Sequence, residues 1–431
     1  MHFHRKTVRT ILIASVSTAS FAQTASAQVF FEEHQVFPSN GTPDDLFGWA
    51  IAMNDNIIAV SSVHDGVNGT DSGSVYVFQA HTRTQLARLI PDDGAARDNF
   101  GFSVATDNGL VVVGAYLDDD DGFDSGSVYI FDANTGAQLS KLHASDASAG
   151  DNFGISVAID DGIIVVGAAR NNDNGVRSGS AYVFDAETGA QLAKLLPNDG
   201  SSEDLFGLSV ATQGGTVVVG VPNDDDNGSQ SGSVYIFDAI TGFERSKLIP
   251  TDGQSLAFFG GAIAIDNGTL AVGARFDSGS AQNAGAAYLF DIATGELLTK
   301  LVANDSDQFE NFGSSIDIDG GIVAVGAWKD GFNGADSGAA YVFDASTGEQ
   351  MFKMIATDGS SQDVFGGSIA IDNGVMVAGA YQSDNQGNNS GTVYTFPQLT
   401  SPCPADFNDD GEVNFFDVAA FINAFSNQCP E

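Results

Sequence analysis

Short apolar runs separated by Gly-, Asp- and Asn-rich breaks carry the chain from about residue 29 to residue 397. From Phe100 onward the pattern resolves into four strand-like runs: Gly101 to Thr106, Leu110 to Ala115, Gly126 to Phe131, and Gln138 to His143. In the second run Val111, Val112 and Val113 are continuously apolar, which predicts a strand covered on both faces. Asp107-Asn108-Gly109 joins the first two runs, and Asn-Gly supplies the positive-φ residues of a tight hairpin. Asp132 to Gly136 is a second short turn. The connections Tyr116 to Ser125 and Ala144 to Asn152 are longer, and the first of them is acidic.

This unit repeats. Phe-Gly recurs at Phe47, Phe100, Phe153, Phe206, Phe259, Phe312 and Phe365, always 53 residues apart. A unit this small cannot hold a core alone, so the copies must stack on one another. Seven units of four antiparallel strands predict an all-β, seven-bladed propeller. The alternative, a solenoid, needs distinct end caps, whereas here the two ends complement each other. The seventh unit stops at Pro397 after three strands, and residues 29–37 form a lone strand. Pro38 stands nine residues before Phe47, as Pro91, Pro197 and Pro250 stand before later Phe-Gly pairs. Residues 29–37 are therefore in phase with a fourth strand, and pairing them with the seventh unit closes the ring and removes an aggregation-prone edge. Alternating strand direction puts the two short turns on one face and the two longer, acidic loops on the other.

Composition narrows the function. The 431 residues include 51 Gly and are 43% hydrophobic, which suits a turn-rich β protein and excludes disorder. A net charge of -40 argues against nucleic acid and anionic lipid as partners. Residues 1–27 read as a signal peptide: basic Arg5, Lys6 and Arg9, an apolar stretch from Thr10 to Ala22, and Ala25-Ser26-Ala27 before a cut at Ala27-Gln28. That stretch is too short to span a bilayer and no other apolar run reaches spanning length, so the expectation is a secreted or cell-surface monomer without a membrane span. The remaining segments are the propeller, 28–397, a linker, 398–402, and a C-terminal module, 403–431.

The C-terminal module carries the most specific motif. Asp406, Asn408 and Asp410 offer oxygens at positions 1, 3 and 5 of a loop, Gly411 allows its turn, Glu412 ligates through its carbonyl, and Asn414 and Asp417 stand at positions 9 and 12. This is EF-hand spacing with a closing Asp, and it predicts a Ca2+ site. Val418, Phe421, Ile422 and Phe425 follow at helical spacing. Cys403 and Cys429, the only cysteines, flank the motif, and in an exported protein they read as a disulfide; free or intermolecular thiols are the alternative. A staple over this span contributes roughly 3 kcal/mol. The segment resembles a single-copy dockerin module, whose loop matches Asp406, Asn408, Asp410, Gly411 and Asp417. That resemblance implies a cohesin-like or cell-envelope partner, although cellulosomal dockerins carry two copies of the loop and this chain has one.

The 53-residue unit resembles the FG-GAP repeat, the blade of the integrin α-chain propeller. Phe100-Gly101 matches "FG" and Val113-Gly114-Ala115 matches "GAP", with further copies at Gly167, Gly220, Gly273, Gly326 and Gly379 and with Ser61 in the first unit. Many such blades hold calcium between these two motifs, but here the turn at Asp107 to Gly109 or at Asp372 to Gly374 is too short to wrap a cation. The acids lie after the Gly-Ala position instead: Asp118 to Asp121 with Asp124, Asn171 to Asn174, and Asn223 to Asp226, while Asp277 stands almost alone. These read as solvated loop acids, with ordered cation sites as the alternative. His34, His64, His81 and His143 form no cluster and no catalytic motif appears, so no catalytic residue is assigned. Departures from the repeat fall at Trp49, His64, Ala257-Phe258 and Trp328, the last sharing its offset with Tyr116 and Tyr381. The expectation is a non-enzymatic scaffold that binds an extracellular protein or polysaccharide on its acidic rim. A polysaccharide-active enzyme and an adhesion or surface-assembly protein are the alternatives.

Overall fold

The computed structural model describes residues 33–396 and Leu399. The expected signal peptide, the expected calcium loop from Asp406 to Asp417, and Cys403 and Cys429 lie outside the described residues. Within them, seven four-stranded antiparallel sheets follow one another, and no helix is long and apolar enough to cross a membrane. Blade 2 is representative: Ser103–Asp107, Leu110–Ala115, Ser127–Asp132 and Gln138–Leu142, paired in that order. The first strand forms one edge of its sheet and touches the first strands of both neighbouring blades, so the first strands line the axis. Contact between the first strands of blades 1 and 7 completes the ring.

Closure follows the phase of the repeat. His34–Val36 pairs antiparallel with Thr392–Phe396, placing Gln35 opposite Tyr394, and supplies the fourth strand of blade 7. Blade 7 also reaches blade 1 through the hydroxyl of Ser368, which donates to the carbonyl of Gly48 at 2.6 Å. The same stitch joins blade 2 to blade 3, where Ser103 donates to the carbonyl of Gly154 at 2.8 Å.

The core sits between consecutive blades. Phe100 is fully buried and meets Tyr129 and Phe131 of its own third strand edge to face, at 5.5 and 5.7 Å. Val75, Val77 and Leu89 of blade 1 pack against the same cluster. Two glycines explain the motif. Gly101 has φ of 92°, open to glycine without strain. At Gly114 an added Cβ would fall 2.0 Å from the carbonyl oxygen of Gly154, so the approach of the next blade excludes any side chain. Asn108 and Gly109, at φ of 49° and 76°, form the predicted primed hairpin. The first strand of blade 2 begins at Ser103 instead of Gly101, because Phe100-Gly101 serves the blade junction and leaves ladder pairing to the residues that follow.

Candidate functional site

The long loops of all blades converge on one face, and there in five of the seven blades an acid early in the loop is buried and ion-paired: Asp65, Asp118, Asp224, Asp277 and Asp330. In blade 2, Asp118 is 3% exposed. The ammonium of Lys141, on the fourth strand, lies 3.2 Å from Asp118, 2.7 Å from Asp93 of the preceding connection and 2.5 Å from Asp120. The Tyr129 hydroxyl is 3.0 Å from both Asp93 and Asp118, and Ser127 donates to Asp118 at 2.9 Å. Lys141 also stands 4.9 Å above the Tyr129 ring. Burial alone would lower the Lys141 ammonium, but the hydrogen bonds it donates to Asp120 and Asp93 and the charge of Asp118 outweigh it and hold it above its ordinary value.

This cluster recurs with variations. Lys247 pairs with Asp199, Asp224 and Asp226; Lys300 with Asp252 and Asp277; Lys353 with Asp305 and Asp330. Lys194 pairs with Asp146 and Asp173, and Asn171 replaces the buried acid there. In blade 1 Arg88 pairs with Asp65. Blade 7 loses both partners together: Ser383 stands where the buried Asp would be and Gln35 where the lysine would be, the latter donating to Asp358 at 2.8 Å. Every acid in this position has a cation beside it, and blade 7, which lacks the cation, lacks the acid too, because a buried carboxylate without a counter-charge is costly. The expectation of solvated acids fails for these residues. Among the described residues, no group of three or more His, Cys, Asp or Glu side chains is arranged to hold a metal ion. The missed signal was the lysines: Lys141, Lys194, Lys247, Lys300 and Lys353 share one offset of the 53-residue repeat, in a chain with 16 basic residues.

Nearer the axis the same face is apolar. Two positions meet at its mouth in each blade, the residue after Phe-Gly and the residue after Gly-Ala. Blades 1, 3 and 4 put the larger side chain first: Trp49 with Val63, Ile155 with Ala169, Leu208 with Pro222. Blades 5 to 7 reverse the sizes: Gly261 with Arg275, Ser314 with Trp328, Gly367 with Tyr381. The exchange is steric, since a Cβ on Gly367 would fall 2.5 Å from the Tyr381 ring. Blade 2 holds two large rings, Phe102 and Tyr116, at 4.3 Å. Trp49 bridges them to blade 7, at 5.6 Å from Phe102 and 5.0 Å from Tyr381. The four rings form a half-buried arc, and no carboxylate occupies either position in any blade.

The other departures sort by face. His64 lies on the long-loop face of blade 1, and His81 in the short turn between its third and fourth strands. His143 sits 2.7 Å from Asp121, and His34 lies on the closing strand. The four histidines therefore stay apart, as their offsets implied. Ala257 takes the place of a carboxylate that the other blades keep, as at Asp98 and Asp204. Those two are pushed up to about 6, chiefly by burial, against the hydrogen bonds they accept from the backbone of Ala95 and Ser201.

The FG-GAP repeat pattern matches residues 30–78, 84–131, 137–184, 190–237, 243–290, 296–343 and 349–396. Each matched segment takes the fourth strand of one blade with the first three of the next, so the sequence unit straddles the structural one. No curated protein matches the chain.

Proposed function

The chain belongs to the FG-GAP repeat family, and on that premise we propose a secreted, non-enzymatic binding protein that engages an extracellular protein or glycan through the mouth of its long-loop face. The observation that carries this reading is the arc of Tyr381, Trp49, Phe102 and Tyr116: half-buried rings at positions that carry no carboxylate in any blade, set inside loops whose buried acids are paired with the protein's own lysines. Partly exposed aromatic rings suit stacking against a sugar or an aromatic side chain. The leader at residues 1–27 would deliver the protein outside the cell, and the dockerin-like module at 403–431, holding Ca2+ through Asp406, Asn408, Asp410, Glu412, Asn414 and Asp417, would attach it to a cohesin-like or cell-envelope partner.

The test is a glycan and secreted-protein array probed with the full chain, with and without calcium. Binding that falls at least tenfold in Trp49→Ala, with melting unchanged, supports the mouth as the contact surface. Binding that survives both Trp49→Ala and Tyr381→Ala places the contact elsewhere and overturns the reading.

A further inference from the structure

Arg275 is the one guanidinium at the two mouth positions, the residue after Phe-Gly and the residue after Gly-Ala, and it has no acceptor among the described residues. Its charge lies 5.2 Å from the centre of the Phe258 ring and 5.0 Å from that of Phe276, which meet edge to face at 5.1 Å. No hydrogen bond or ion pair joins Arg275 to any other described residue. The contrast with the six clustered cations is sharp, since each of those has at least one carboxylate. Burial pulls the guanidinium below its ordinary value, and no neighbouring charge opposes the shift. A partly desolvated cation without acceptors is costly, and two aromatic faces compensate only in part.

Blade 5 also departs from the other blades at the position two residues before Phe-Gly. In every other blade a carboxylate stands just before the residue that leads into Phe-Gly: Asp45, Asp98, Asp151, Asp204, Glu310 and Asp363. Its backbone carbonyl accepts from the residue two beyond Gly-Ala, as Asp98 does from Leu117. In blade 5 the same bond runs from Phe276 to Ala257, next to Arg275, and alanine has replaced the acid. Gly261 then leaves room, with Nη1 of Arg275 at 3.7 Å from where its Cβ would be. The single blade with an arginine at a mouth position is thus also the single blade without this carboxylate, which in the other six accepts from the N–H three residues earlier.

We propose that Arg275 receives the carboxylate of an acidic sugar at the end of an otherwise neutral glycan, with the sugar ring resting on the neighbouring aromatic surface. This deepens the reading of the mouth as a binding surface and rests on it. The guanidinium fork matches a carboxylate with two parallel hydrogen bonds. Trp328, at the same offset in blade 6, offers a half-buried indole with Lys329 4.7 Å from its ring, a second cation with no carboxylate partner among the described residues. A net charge of -40 repels a polyanion, which selects one acidic group on a neutral chain over a uronic acid polymer or a nucleic acid.

The experiment uses the full chain on an array of paired oligosaccharides, identical except that the terminal sugar carries a carboxylate or a hydroxymethyl group. The expected result is preference for the carboxylate member, weakened about tenfold or more by Arg275→Gln, partly restored by Arg275→Lys, and lost with rising salt. Thermal melting of both variants confirms the fold; removal of an uncompensated charge is expected to leave it as stable or more so. Equal binding of the paired sugars, or carboxylate preference unchanged in Arg275→Gln, overturns the inference. If neutral sugars bind and Trp49→Ala abolishes that binding, the mouth reading stands while the acidic-sugar inference falls. If no glycan binds and Trp49→Ala also leaves protein binding intact, both fall.

Discussion

Replacing Lys300 by Gln isolates what the buried ion pairs contribute. Its ammonium lies 3.0 Å from Asp277, whose side chain is 1% exposed, and 2.7 Å from Asp252, whose side chain is 50% exposed. Without it, Asp277 keeps the Tyr288 hydroxyl at 2.9 Å and the Gly279 N–H at 2.8 Å as its side-chain donors among the described residues. Breaking a buried pair by removing one partner costs about 3–5 kcal/mol. The exposed Asp252 adds little, and the glutamine amide recovers about 1 kcal/mol, which leaves roughly 2–4 kcal/mol. Blade 7 shows the remedy, since Gln35 and Ser383 occupy these two positions together. Adding Asp277→Ser to Lys300→Gln is therefore expected to recover most of the loss, giving a coupling of about 2–3 kcal/mol. Urea unfolding at pH 7, followed by intrinsic fluorescence with the slope held in view, measures all four corners of the cycle. Additive single effects, or a Lys300→Gln variant as stable as the parent, would refute the argument that the acid is retained only beside its cation.

Asp317 stands on the first strand of blade 6 where the six other blades have Ala, and burial pushes it up to about 7 despite hydrogen bonds from the Ile371 and Ile318 N–H groups. A carboxyl raised from 3.8 contributes fully below that value and loses its contribution as pH climbs towards 7, so Asp317→Ala is expected to gain at pH 8 relative to pH 4, by at most about 4 kcal/mol; melting curves with no such pH dependence would contradict this. Deleting residues 29–37 removes the partner of Thr392–Phe396 and exposes a strand edge, so the shortened chain should associate in size-exclusion chromatography, and an unchanged monomer would count against strand closure. For residues 403–431, calorimetry is expected to show a transition that EDTA or Asp410→Ala shifts down, and an unshifted transition would remove Ca2+ from the account.

Much of the ring was legible along the chain because its determinants are local and periodic. The Phe-Gly beat, the Asn108-Gly109 turn and the orphan strand at 29–37 each depend on spacing, and spacing is preserved in one dimension. A four-stranded blade follows from the runs, and seven in-phase copies leave a ring as the closure that satisfies both ends. The sequence by itself thus determined the fold, the blade count and the two faces. It did not determine the state of the acids. Lys141 lies 23 residues from Asp118 and 48 from Asp93, on a different strand and beyond the preceding blade junction, so the loops read alone as solvated charge. Nor did it separate Arg275 from the other cations, since that distinction rests on an acceptor absent from its surroundings. Charge state and partnership are set by distance and desolvation, which arise only when the strands are stacked, and there the tertiary structure alone decided that the buried acids are paired within and that Arg275 is left without an acceptor among the described residues.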